Sequence, residues 1–273
     1  MSRTRGTAEV NGARLHFELA GAGRPLVLLH AGICDGRMWD GQFEALAARR
    51  RVVRYDRRGF GRTTQGADAF SHVEDLDGLL GHLNLGRVTL VGCSQGAKIA
   101  LDFALKRPDA VDALVLVAPA LSGYAYEAAP PPQYAEIARA DAAGDVGRVN
   151  ELELQIWVDG PRRTPEEVDR GVRGLVREMN LAALNASAGE ELPPGAGAAG
   201  SLGEVRAPTL VVAGDLDTPR TLEAADALAR GIPGARLEVI EGAAHLPNME
   251  RPEEFNRVLL GFLDGSGGGP EDR

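Results

Sequence analysis

Cysteine is nearly absent from this chain, with two thiols, Cys34 and Cys93, in 273 residues. Two cysteines cannot build a disulfide framework, and reduced thiols fit a cytoplasmic protein, which is the location expected. Cys and His nowhere stand at the spacing of a zinc site, so no metal is expected. Positive charge is also in deficit. Thirty Lys and Arg against 39 Asp and Glu leave a formal net charge of −9. This excludes a general affinity for nucleic acid or anionic membrane, and with only 5% aromatics no basic, aromatic-interleaved stripe offsets it. No apolar run approaches the ~20 residues that span a bilayer. The opening stretch Met1-Ser2-Arg3-Thr4-Arg5-Gly6 has no apolar core behind its charges, so no signal peptide is expected.

What the chain does contain is a rhythm of short apolar runs. Pro25–Leu29, Val52–Tyr55, Arg87–Val91, Ala113–Val117, Leu210–Gly214 and Leu237–Ile240 read as strands. Segments with helical spacing separate them, notably Met38 to Arg49, Phe70 to Leu83 and Ala97 to Ala104. Asn11-Gly12 marks a hairpin within Ala8 to Leu19. Strands alternating with helices predict an α/β class, a mostly parallel sheet covered on both faces. The rhythm breaks from about Leu121 to Gly203, a segment with Pro130-Pro131-Pro132, helical stretches and a loose Gly/Ala tract from Pro193. The predicted organisation is therefore a core of residues 1–120 and 204–264, an inserted helical cap of 121–203, and a flexible tail of 265–273.

Gly92-Cys93-Ser94-Gln95-Gly96 lies between a predicted strand and a predicted helix. With 35 glycines in the chain, G-x-S-x-G arises by accident with odds of roughly one in ten, so the motif alone decides little. Its strand–turn–helix setting gives it mechanical sense. The turn is too tight for flanking side chains, and it lifts the serine hydroxyl to a helix N-terminus, where free N–H groups favour developing negative charge.

A serine hydroxyl needs a base to become a nucleophile. His245 follows the Leu237–Ile240 strand, and Asp215 and Asp217 follow the Leu210–Gly214 strand. In an open parallel sheet such strand ends share one crevice. His245 is the candidate base and Asp217 the favoured acid, with Asp215 better suited to organising its loop. The backbone N–H of Gln95 is one candidate oxyanion donor, and that of Gly32 the other, with Ile33 as its fallback. His30 reads as a strand-end histidine bonded to loop backbone. His16, His72 and His82 have no motif context. Asp56-Arg57-Arg58-Gly59-Phe60-Gly61 reads as a turn held by Asp56 and an arginine. Ile33, Trp39, Tyr124, Tyr126 and Trp157 are candidate pocket residues. Helix packing is the alternative for Trp39, and anchoring of the cap is the alternative for Tyr124, Tyr126 and Trp157.

Five blocks in order carry a family resemblance: Leu28–Gly32, Tyr55–Arg62, Gly92–Gly96, Gly214–Asp217 and Gly242–His245. The chain resembles the α/β-hydrolase superfamily, and within it the capped branch of 3-oxoadipate enol-lactonases, small-ester esterases, cofactor-free haloperoxidases and C–C bond hydrolases. The resemblance implies an α/β-hydrolase fold, a triad of Ser94, Asp217 and His245, main-chain donors near Gly32 and Gln95, and no cofactor. The expected activity is hydrolysis of a small ester or lactone through an acyl-enzyme. C–C bond hydrolysis or perhydrolysis with the same triad is the first alternative, and a non-catalytic ligand receptor is the second. The sequence leaves the oligomeric state open, a homodimer being one option.

Overall fold

The computed structural model describes residues 3–66, 68–186, 189–192 and 197–266. Nine strands form one sheet: β1 Arg3–Val10, β2 Ala13–Ala20, β3 Pro25–Leu29, β4 Arg51–Tyr55, β5 Thr64–Gln65, β6 Val88–Cys93, β7 Val111–Val117, β8 Thr209–Gly214 and β9 Arg236–Ile240. Their order is β1-β2-β4-β3-β6-β7-β8-β9, with β5 paired to β2. β1, β2 and β5 run antiparallel, and every pairing from β4 through β9 is parallel. The β1–β2 hairpin turns at Asn11 and Gly12, both at positive φ (47° and 78°), the geometry its two-residue loop requires.

The central strands read as unbroken apolar runs because both of their faces are covered. Along β6, Val88 and Leu90 enter one core while Val91 and Cys93 enter the other. β7 and β8 alternate in the same way. Leucines of α2 (His72–His82) and apolar residues of α3 (Gln95–Lys106) and α7 (Pro219–Gly231) cover the first face. Phe43 and Leu46 of α1 (Asp40–Ala47) and Phe255, Leu259 and Phe262 of α9 (Pro252–Ser266) cover the second.

Between β7 and β8 the described residues form helices and turns, with no named strand. They are α4 (Tyr134–Ala142), α5 (Val146–Leu154), a π-helical turn at Gln155–Asp159 and α6 (Arg170–Leu184). Leu154, Val158, Val176 and Met179 from this segment join the second core beside Ile33 and Cys34. The inserted helices thus rest directly on the loop that leaves β3. Residues 190–192 bridge to Phe70, whose N–H donates to Glu190 O (2.9 Å) and whose carbonyl accepts from Leu192 N (2.7 Å).

Several element boundaries differ from expectation. The Met38–Arg49 helix is preceded by a 3₁₀ turn, Gly36–Trp39, because the Asp35 carboxylate caps Arg37 N and starts the turn early. α9 continues to Ser266, so Gly265 and Ser266, assigned to the expected tail, are helical. The remainder of that tail, and residues 193–196 of the Gly/Ala tract, lie outside the described residues. Both cysteines are free and buried.

Candidate active site

β6 delivers the chain to Ser94, which sits at φ 54°, ψ −113°, a backbone conformation that side chains rarely adopt. Such strain persists only where the surroundings enforce it. Here two glycines do so. A Cβ on Gly92 would stand 2.3 Å from the Gly96 carbonyl oxygen, and one on Gly96 would stand 2.4 Å from Leu29 O and 2.7 Å from His30 O. The second contact also presses the start of α3 against the end of β3. The Ser94 N–H donates to Val117 O at 2.8 Å, which fixes the turn to β7.

The β8 and β9 ends meet in the same manner. A Cβ on Gly214 would collide with the carbonyl oxygens of Ala243 and Ala244, at 2.2 and 2.3 Å. This close crossing brings Asp217 Oδ2 to 2.8 Å from His245 Nδ1. Both side chains are buried, and the second Asp217 oxygen accepts Thr218 N–H at 2.6 Å. Asp215 turns elsewhere, with Oδ1 accepting Gly242 N–H at 2.6 Å. The Cys93 thiol, next to Ser94, donates to the His245 carbonyl at 3.7 Å, so the serine turn and the histidine loop are in contact.

Trp157 stands on the π-helical turn, with its ring 4.5 Å centroid to centroid from the imidazole of His245. Ile33 is buried under the inserted helices. Trp39 is wholly buried, and its ring lies 6.2 Å from that of Phe255. Tyr124 and Tyr126 form an edge-to-face pair (5.0 Å). Tyr126 accepts Leu121 N–H and lies under Arg220 of α7.

The loop after β3 is organised by His30 and by Arg57. His30 is wholly buried, and its Nε2 accepts the Arg57 N–H at 3.0 Å, so Nδ1 carries the proton and donates to Ala31 O at 2.8 Å. Burial, and next the Arg57 charge, hold His30 well below the usual imidazole range. Arg57 is buried over the Phe60 ring and donates to Gln95 Oε1 (3.0 Å) and Ala31 O (3.2 Å). Its Nη1 also lies 3.3 Å from His72 Nε2. Gln95 Nε2 reaches Glu191 Oε2 at 3.3 Å. The Asp56 turn is held differently from expectation. Asp56 accepts Gly36 N–H and Arg62 N–H, both at 2.8 Å, while Arg58 pairs with Asp75 of α2 at 2.6 Å. The only sequence signal for Arg57 was its place in a charged, glycine-rich turn.

Residues 24–252 match the α/β hydrolase fold family. The chain belongs to that family. This hydrolase is 31% identical over 275 residues to a Rhizobium rhizogenes (strain K84 / ATCC BAA-868) protein provisionally named carbamate hydrolase RutD, over 91% of this chain and 97% of that one. Among solved structures it is similar to a thermophilic esterase from Thermogutta terrifontis, at TM-score 0.76 and 28% identity, covering 98% of this chain and 100% of the other. It is similar too to Est816, an N-acyl homoserine lactone degrading enzyme, at TM-score 0.74 and 28% identity, covering 94% and 99%. Among the described residues no helix is long and apolar enough to cross a membrane, and no cluster of His, Cys, Asp and Glu could hold a metal ion.

Proposed function

We propose that this chain is a cofactor-independent serine hydrolase of carboxylic esters or lactones, with Ser94, His245 and Asp217 as its triad. The observation that carries the reading is the buried 2.8 Å Asp217–His245 contact at the rim where the strained Ser94 turn emerges. Asp217 holds Nδ1 of His245 and orients the ring, which leaves Nε2 for the Ser94 hydroxyl. Ser94 Oγ attacks the substrate carbonyl as His245 takes its proton. The tetrahedral oxyanion accepts the Gly32 and Gln95 backbone N–H groups. His245 then returns the proton to the departing alkoxide, and the acyl group stays on Ser94. Water, deprotonated by His245, releases the acid and restores the enzyme. The inserted helices act as the cap, with Trp157 and Ile33 facing the substrate. Kinship with an esterase and with a lactone-degrading enzyme supports the ester or lactone choice.

The test uses p-nitrophenyl acetate and butyrate alongside a panel of lactones. Wild type should turn over members of this panel and take up a fluorophosphonate probe at Ser94. Ser94→Ala should lose roughly 10³-fold or more in kcat with an unchanged circular dichroism spectrum. A Ser94→Ala protein with the wild-type rate would remove the nucleophile from this reading.

A further inference from the structure

Arg57 presents a physical anomaly. Its guanidinium is buried, with 1% of the residue exposed, yet among the described residues no carboxylate pairs with it directly. Among the described residues its Nε has no hydrogen-bond partner. Burying an unpaired cation is costly, and a loop that needed only an anchor could be held by a neutral side chain. Burial pushes Arg57 down to about 10, so it is still charged at neutral pH. Both histidines beside it stay neutral. Burial drives His72 to about 2 and His30 well below its usual range, with Arg57 as the next cause for each. Of these three buried groups, the guanidinium is the one that carries positive charge.

Its two best hydrogen bonds go to the two segments proposed to hold the oxyanion. Nη2 donates to the carbonyl of Ala31, and that carbonyl belongs to the same peptide unit as the Gly32 N–H. The Ala31 oxygen also accepts from His30 Nδ1 (2.8 Å) and from Cys34 N (3.2 Å). Three donors on one carbonyl pull electron density toward its oxygen and make the N–H across the peptide a stronger donor. Nη1 donates to Gln95 Oε1 at 3.0 Å and so fixes the residue that supplies the second N–H. The Gln95 amide in turn fills the space over Gly32, its Oε1 lying 3.1 Å from where a Gly32 Cβ would be.

We propose that Arg57 is a positioning residue of the oxyanion site: one guanidinium ties the Ala31–Gly32 peptide to the Gln95 side chain, and it fixes and polarises the two main-chain donors together. The proposal rests on the serine-hydrolase reading above. It predicts an effect on the transition state and not on substrate binding, because the oxyanion exists only after attack.

The experiment compares wild type, Arg57→Met and Arg57→Lys on p-nitrophenyl butyrate, with an alkyl trifluoromethyl ketone as the tetrahedral analogue and thermal melts to establish folding. Arg57→Met should lose roughly 30- to 300-fold in kcat, with KM within about threefold of wild type. Its affinity for the ketone should fall in parallel with kcat. Arg57→Lys keeps the charge but cannot span both acceptors, and should recover part of the loss. A folded Arg57→Met with wild-type kcat and ketone affinity overturns the proposal, as does a loss confined to KM. If Arg57→Met does not fold, Arg57→Lys decides alone. A clear fall in kcat at constant KM supports the proposal, and unchanged kcat overturns it. The two failures separate cleanly. A wild type inert to esters, lactones and fluorophosphonate sinks the serine-hydrolase reading and this proposal with it. An active wild type with indifferent Arg57 variants sinks this proposal only.

Discussion

Two carboxylates two residues apart leave the same strand, and backbone geometry gives them different work. Asp215 lies beside the strand end and accepts the Gly242 N–H, so it ties the β8 loop to the β9 loop. Asp217 is one turn deeper and meets the imidazole. Converting Asp217 to Asn keeps its shape but offers His245 an amide donor or a neutral oxygen, so the wrong tautomer is favoured and the imidazolium loses its counter-charge. Asp217→Asn should therefore reduce kcat by roughly 10³- to 10⁴-fold. Asp215→Asn should leave kcat within about fivefold, because an amide oxygen still accepts the Gly242 N–H. Steady-state kinetics on both variants with one ester checks the pair, and equal losses would show that the 2.8 Å contact does not govern the chemistry. Ser94, Asp217 and His245 stood out as candidates because each follows a predicted strand, although β9 before His245 is mostly exposed while β6 and β8 are buried, and glycine marks two of the crossings, at Gly92–Gly96 and at Gly214. Arg57 was not legible. Its partners come from the loop after β3 and the starts of α2 and α3, which meet only after folding, and no spacing along the chain encodes that meeting.

The inserted segment holds Trp157 against His245 through a latch built at the end of one element. The π-helical turn leaves the carbonyls of Val158 and Asp159 without continuing helical donors. Arg163 supplies them, with Nη2 to Val158 O and Nε to Asp159 O, both at 2.8 Å. Its Nη1 pairs with Glu250 Oε2 at 2.7 Å, and Glu250 Oε1 accepts the Ala244 N–H beside His245. The side chains are only 12% and 5% exposed, so removing one partner strands the other charge. Arg163→Met should cost about 2–4 kcal/mol in urea unfolding. The double variant Arg163→Met/Glu250→Met should cost clearly less than the sum of the singles, and strict additivity would show that the two groups do not interact. None of this latch was readable beforehand. Core strands announce themselves because both faces are apolar. By contrast, α4 to α6 are half-exposed helices whose packing partner lies elsewhere in the chain, and nothing in Gln155–Asp159 marks a π turn. Trp157 was singled out as an aromatic in that segment, but its sequence setting matched that of Tyr124 and Tyr126, which pack on α7 instead.

At the scale of the molecule, the fold keeps two imidazoles neutral in the interior beside Arg57, behind the Gly32 and Gln95 segments. Burial lowers both His30 and His72, with Arg57 the next cause for each. An unfolded chain exposes them, and each then takes up a proton below about pH 6.5 while the native form does not. The unfolded state thus binds more protons, and native stability falls as pH falls. Two such groups give a slope of up to about 2.7 kcal/mol per pH unit once the unfolded histidines are charged. Carboxylates act in other windows. Glu18 is held at about 2 despite its burial, through its bonds to Arg3 and Arg54, and its contribution is lost only between about pH 4.5 and 2. Burial raises Asp56, Glu153 and Glu250, and these oppose the histidine effect as each protonates in the native state. The histidine effect sets in over about pH 6.5 to 5.5, and the slope there is its net against these raised carboxylates and Asp102. Urea unfolding across that interval should show stability dropping with acid, and His72→Gln, which keeps an acceptor for Arg57 but cannot titrate, should remove about half of the slope. A His72→Gln slope equal to that of wild type would mean that the buried His72 imidazole is not held neutral beside Arg57.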